Sequence, residues 1–100
     1  MVRCVADVIS IEADAARFDF SAAAPISFCL LDVDIYLPIA AALPKIYDAL
    51  SRGGIIVCDD CCPNTTYDGA LRAYEEFVEG RRLSRDLILG KFGIIRKSWN

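Results

Sequence analysis

Two short apolar runs, Phe28-Cys29-Leu30-Leu31 and Ile55-Ile56-Val57-Cys58, each stop abruptly at a carboxylate pair. Asp32 and Asp34 follow the first run, and Asp59 and Asp60 follow the second. Near-continuous apolar runs of this length fit strands of a parallel sheet covered on both faces. Between them Ile39, Leu43, Ile46, Tyr47 and Leu50 recur at helical spacing, and Pro38 suits a first helical turn. Pro44 interrupts that stripe and predicts a kink or two shorter helices. Gly53-Gly54 is expected to end the helix and turn directly into the second run. Upstream, residues 8–12 read as a strand and 14–20 as a turn with a short helix at most. Downstream, a loop at 61–66 carries Pro63 and Asn64. A helix over 67–79 follows, with Leu71, Tyr74, Phe77 and Val78 on one face and Gly80 as its stop. Residues 87–89 and 92–96 predict a hairpin around Gly90 and Lys91. The order β-(α)-β-α-β-α-β-β predicts an α/β fold of parallel strands with a C-terminal antiparallel hairpin.

At 100 residues the chain has room for one domain at most. Its hydrophobic share of 55% is more core material than so small a unit usually needs, which suits part of something larger. The net charge of −3 offers no basic face, so no nucleic-acid partner is expected. Arg81, Arg82 and Arg85 read as a solvated connector. The chain has no histidine, which removes Ser-His-Asp, Cys-His and His-metal chemistry. The longest uncharged stretch, 20–31, falls far short of the roughly 20 residues of a membrane span, so no membrane partner is expected. Asp7 and Glu12 break the apolar start and argue against a secretory leader. Five cysteines, with Cys29 and Cys58 inside predicted strands, point to reduced thiols in a cytoplasmic protein. Cys58-x-x-Cys61 with Cys62 lacks the second C-x-x-C that a zinc site would need.

In open α/β sheets ligands bind just outside the carboxyl ends of the strands. Two adjacent strands would therefore bring Asp32, Asp34, Asp59 and Asp60 around one crevice. Converging carboxylates repel unless a cation or a proton sits among them. An oxygen-only cluster suits a hard ion such as Mg²⁺. The plainer alternative is that these are polar strand ends that begin the following helices.

One family joins these features. Leu31-Asp32-Val33-Asp34-Ile35-Tyr36, then Leu43-Pro44-x-Ile46-Tyr47-x-x-Leu50-Ser51-x-Gly53-Gly54, then Val57-Cys58-Asp59-Asp60 and Gly69-Ala70-Leu71-x-Ala73-Tyr74-x-x-Phe77 resemble the C-terminal portion of a class I S-adenosylmethionine-dependent methyltransferase. The match is to the macrocin O-methyltransferase (TylF-type) family, over about 26–97. The resemblance implies the C-terminal half of a Rossmann-like sheet and metal-assisted methyl transfer to a hydroxyl of a small molecule or sugar. It implies Asp32, Asp59 and Asp60 as ligands of Mg²⁺, with Asp34 a neighbour that assists deprotonation. Ile11-Glu12-Ala13-Asp14-Ala15 resembles the segment that passes near the cofactor adenine, so Asp14 and Ala15 are weak contacts of S-adenosylmethionine. Cys61 departs from the family, which usually has an aromatic residue after the Asp pair.

The glycine-rich cofactor turn of that family has no counterpart, and no Gly-x-Gly occurs in the chain. The resemblance thus implies one partial domain: 1–25 as a remnant of the cofactor side and 26–97 as the metal and acceptor half. The family's sheet places two further strands between the segments matching 8–12 and 26–31. Residues 26–31 would then form an apolar edge, and the first twenty residues would be mobile or pair directly with it. Self-association or a companion chain follows as an expectation. Two other readings compete. Haloacid dehalogenase-like phosphatases also use Asp-x-Asp after an apolar strand, with Asp32 as nucleophile and Asp34 as acid. However, a single helix between Asp32 and Asp59 leaves no room for that family's intervening units. The other reading is a non-catalytic remnant, or a half-domain that works only with a partner.

Overall fold

Eight elements follow one another among the residues that a computed structural model describes, namely 2–5, 9–11, 19–20, 24–33, 35–62 and 68–99. They are β1 (Val2–Val5), β2 (Ile9–Ile11), β3 (Ile26–Leu31), α1 (Tyr36–Ala49), β4 (Leu50–Cys58), α2 (Gly69–Gly80), β5 (Leu87–Ile88) and β6 (Phe92–Arg96). One six-stranded sheet has the order β2-β1-β3-β4-β6-β5. Only β3 and β4 pair in parallel, across α1, and every other pairing is antiparallel. The α/β expectation holds, with the parallel pair at the centre and the β5–β6 hairpin beside it.

Burial alternates along the strands, and the register explains it. Cys29, Ile56 and Ile95 stand in one row and Leu31, Cys58 and Gly93 in the next. All six are buried. α1 packs on β3 and β4, α2 packs on β6, and the two helices pack on each other. Ile39, Ala42, Leu43 and Ile46 of α1 and Ala70, Ala73, Tyr74 and Val78 of α2 close this core. The opposite row of Phe28 and Ile55, and that of Leu30 and Val57, remain partly exposed. Cover on both faces was expected; among the described residues the helices lie on one.

Several expectations are corrected. α1 runs through Pro44 as a single helix. Proline removes one hydrogen bond, at a cost of roughly 3 kcal/mol in a helix interior, but four α1 side chains within 1% of full burial offset it. Gly53-Gly54 does not stop the helix. α1 ends at Ala49, and both glycines lie inside β4. There the register slips: Ile26 pairs with Leu50 and Phe28 with Ile55, so β4 carries a wide bulge. Gly53 has φ +79°, and a Cβ there would come within 2.3 Å of the Trp99 ring. Gly80 is the last residue of α2, and the left-handed position after it belongs to Arg82, at φ 56°. Leu83 N–H donates to Val78 O at 2.7 Å and Arg82 N–H to Glu79 O at 3.1 Å, which is a Schellman closure.

The N-terminal expectation changes most. β1 enters between β2 and β3, with Val5 opposite Phe28 and Val2 opposite Leu31. β3 is therefore an interior strand and not an exposed edge. Of the two outcomes anticipated for the N-terminal segment, direct pairing on 26–31 is the one observed, and β1 rather than the strand predicted at 8–12 makes it.

Candidate metal and acceptor site

β3 and β4 run side by side in the same direction, so their carboxyl ends finish together. Asp59 N–H donates to Leu31 O at 3.0 Å and continues the ladder one step past β4. Asp32 then leaves β3 as Asp59 and Asp60 leave β4. Carboxylate oxygens of Asp32, Asp59 and Asp60 lie within 4.8 Å of one another. Asp32 is exposed and the other two are half-buried. Asp60 takes φ 58°, a left-handed turn that Asp tolerates better than most residues. Its N–H donates to Asp59 Oδ1 at 2.8 Å and so fixes that carboxylate.

The donor set fits a hard divalent ion. Mg²⁺ holds oxygens at about 2.0–2.1 Å and Ca²⁺ at about 2.3–2.6 Å. Oxygens on opposite sides of such an ion are thus roughly 4–5 Å apart, the spread seen here. The sequence reading brought Asp32, Asp59 and Asp60 to one crevice, and the fold brings these three together. Asp34, the expected deprotonating neighbour, and Asp14 and Ala15, the expected cofactor contacts, lie outside the described residues.

Two features of the site were not anticipated. Lys91 Nζ stands 3.5 Å from Asp59 Oδ1. The β5–β6 turn carries it there: Leu89 and Gly90 both have positive φ, and Lys91 N–H donates to Ile88 O at 3.1 Å, a type I′ turn. Because β6 runs antiparallel to β4, that turn must sit at the carboxyl end of β4. The sequence reading placed Lys91 in the hairpin turn, and the pairing of β6 with β4 is what brings that turn to the acids. The second feature is Tyr36, the first residue of α1. Its hydroxyl donates to Glu76, and the Arg72 guanidinium lies 4.8 Å from its ring centroid. That hydrogen bond raises the Tyr36 pKa and lowers that of Glu76.

Burial favours the thiol form of two cysteines near this end of the sheet, Cys58 and Cys61. Burial pushes the Cys61 thiol up to about 11, against a hydrogen bond to the Gly93 backbone that lowers it. Burial raises Cys58 further, with Cys61 adding to the shift. Thiolate is the nucleophile and metal ligand, so both groups are inert near neutral pH. A cavity of about 540 Å³ opens elsewhere, lined by Gly53, Ile55, Arg82, Ser84, Ile94 and Trp99 among others. Its lining has no carboxylate among the described residues, and it sits toward the amino end of β4, away from the acid cluster.

No protein-family model and no curated protein matches the chain. Solved structures do. The apo structure of CalS11, a TDP-rhamnose 3'-O-methyltransferase of calicheamicin biosynthesis, is similar at a TM-score of 0.65 and 22% identity, over 86% of this chain and 39% of that one. A second CalS11 structure gives the same TM-score and identity over 86% and 36%. The O-methyltransferase NovP is similar at a TM-score of 0.54 and 20% identity, over 75% and 32%. This chain therefore spans 39% of the length of the first of these structures. No helix among the described residues is long and apolar enough to cross a membrane. At such identities the likeness is one of architecture: the chain has the fold of part of an O-methyltransferase domain.

Proposed function

We propose that this chain is the metal and acceptor portion of an S-adenosylmethionine-dependent O-methyltransferase of the macrocin type, acting on a hydroxyl of a small molecule or sugar. The observation that carries the reading is the Asp32–Asp59–Asp60 cluster at the carboxyl ends of two adjacent parallel strands, in a fold shared with O-methyltransferases. Asp32, Asp59 and Asp60 would hold Mg²⁺, which when bound lowers the pKa of a nearby hydroxyl and fixes its oxygen. S-adenosylmethionine would supply the methyl group from its sulfonium, with Asp14 and Ala15 among its contacts. The chain's own part is to position the acceptor oxygen and to take its proton, the role assigned to Asp34.

Mapping Mn²⁺ by its paramagnetic broadening of amide signals tests this. Signals of residues 31–33 and 58–61 should fade first. Broadening spread instead over the acids of α2, Glu75, Glu76 and Glu79, would contradict the reading.

A second reading is a half-domain that needs a partner, and the sheet face away from the helices favours it. In it, a second copy or a companion chain supplies the cofactor side. The partly exposed row of Phe28, Leu30, Ile55 and Val57 gives such a partner apolar surface. Calorimetry of the chain alone with S-adenosylmethionine should then show no binding at submillimolar concentration. A micromolar dissociation constant would rule out the half-domain reading and leave the enzyme reading in place.

A further inference from the structure

We infer that the Lys91 ammonium is the resident cation of the Asp32–Asp59–Asp60 cluster and competes with a divalent ion for it. The inference rests on the metal reading above and adds a residue that tunes it. The Lys91 backbone is tethered on both sides: its carbonyl accepts Cys61 N–H at 2.7 Å, and its own N–H donates to Ile88 O. The side chain is not tethered in the same way. It is 48% exposed, and its 3.5 Å approach to Asp59 Oδ1 is longer than a tight charged hydrogen bond. The Phe92 ring, with its centroid 5.4 Å from Nζ, offers the ammonium an apolar face beside the carboxylate. Lys91 thus sits on a fixed hinge with a movable charge.

Asp59 Oδ1 is where the competition falls. A carboxylate oxygen has two lone-pair sites. Asp60 N–H takes one at 2.8 Å and is held by the backbone turn. Lys91 Nζ lies 3.5 Å from the same oxygen. An ion that uses this oxygen displaces the group that can move, which is the lysine. An ion that uses the other Asp59 oxygen still lies a few ångströms from an ammonium and is repelled by it. In either geometry the lysine weakens divalent binding. In the absence of the ion it offsets the mutual repulsion of the three carboxylates.

Thermal melting of the full chain, titrated with MgCl₂ at constant ionic strength, tests this in four forms: parent, Lys91→Met, Lys91→Arg and Arg52→Gln. Arg52 is exposed on β4 seven residues before Asp59, so its loss controls for net charge alone. In EDTA, Lys91→Met should melt below the parent. As Mg²⁺ rises the gap should close or reverse, with a midpoint about two- to fivefold lower than the parent's, the range expected of a half-exposed ion pair. Lys91→Arg should stay near the parent, and Arg52→Gln should leave the midpoint unchanged. Equal midpoints for parent and Lys91→Met would overturn the competition and leave the metal reading standing. A matching drop in Arg52→Gln would reduce the effect to net charge and overturn it too. No ion response in any form would overturn the metal reading itself, and the competition with it.

Discussion

The two ends of β4 handle polar groups in opposite ways. At its amino end opposite partners meet. Lys97 Nζ donates to Leu50 O at 2.9 Å and to Tyr47 O at 3.0 Å, where it joins the Leu50 N–H that closes the end of α1. Ser51 Oγ donates to Ile26 O at 3.2 Å, and Gly53 N–H donates to Lys97 O at 2.8 Å. These polar contacts close the bulge and serve the fold. At the carboxyl end carboxylate oxygens of Asp32, Asp59 and Asp60 lie within 4.8 Å of one another. Crowded like charges cost stability. At the amino end the polar groups meet opposite partners within the fold, and at the carboxyl end carboxylates meet carboxylates, the arrangement on which the proposed ion site rests.

The largest expected effect belongs to the amino end. Gly53→Ala would place a Cβ at φ +79° against Trp99. It should cost about 2–4 kcal/mol in chemical denaturation while leaving any Mg²⁺-induced rise in melting temperature in place. If the ion response vanished too, the two ends would not be separable.

Next comes Tyr74→Phe. The Tyr74 hydroxyl accepts Asp86 N–H at 2.8 Å and shares its proton between Ile94 O at 2.9 Å and Asp86 O at 3.1 Å. Losing it takes the acceptor from Asp86 N–H and a donor from the carbonyls of Ile94 and Asp86, at a cost of roughly 1–3 kcal/mol. Because it anchors the strands that present Lys91, amide exchange in 86–94 should accelerate more than exchange in β3. Uniform acceleration would mean that the hairpin is not held separately from the acid-bearing strands.

A smaller effect should appear with pH. The Cys61 thiol is raised from 9.0 to about 11 in the folded chain. Above pH 9 the unfolded chain releases this proton first, so this contribution is intact below pH 9 and declines between pH 9 and 11. Melting temperature should fall across that window, and Cys61→Ala should flatten the fall. An unchanged slope would assign the decline to other groups, Cys58 and Tyr74 included, whose pKa values are also raised by burial.

The division between the two ends also governs what could be read from sequence. The acid cluster was legible because each part is local: an apolar run of strand length, then a carboxylate, twice. β3 and β6 were legible for the same reason, as were the buried stripes Ile39-Leu43-Ile46 and Leu71-Tyr74-Val78. The bulge was not. Gly53-Gly54 is a stop signal by composition, and only contact with Trp99, far along the chain, shows that it belongs inside a strand. Lys97 capping α1 and Lys91 reaching Asp59 are likewise long-range, set by the antiparallel return of β6. Gly80 does end α2, but Arg82, with no local mark, takes the left-handed position. β1 was missed because four residues with a central arginine carry little periodic signal.

On the proposed reading, Asp32, Asp59 and Asp60 at the carboxyl ends of β3 and β4 hold a divalent ion. Thermal melting of the parent chain and of Asp59→Asn, each in EDTA and in saturating Mg²⁺, tests it most directly. Only a folded chain assembles the cluster, so Mg²⁺ should raise the parent's melting temperature. Asp59→Asn should melt near the parent in EDTA, because removing one of three crowded charges offsets the lost pairing with Lys91. It should show little or no rise with Mg²⁺. A variant that responds to the ion as fully as the parent would contradict the account.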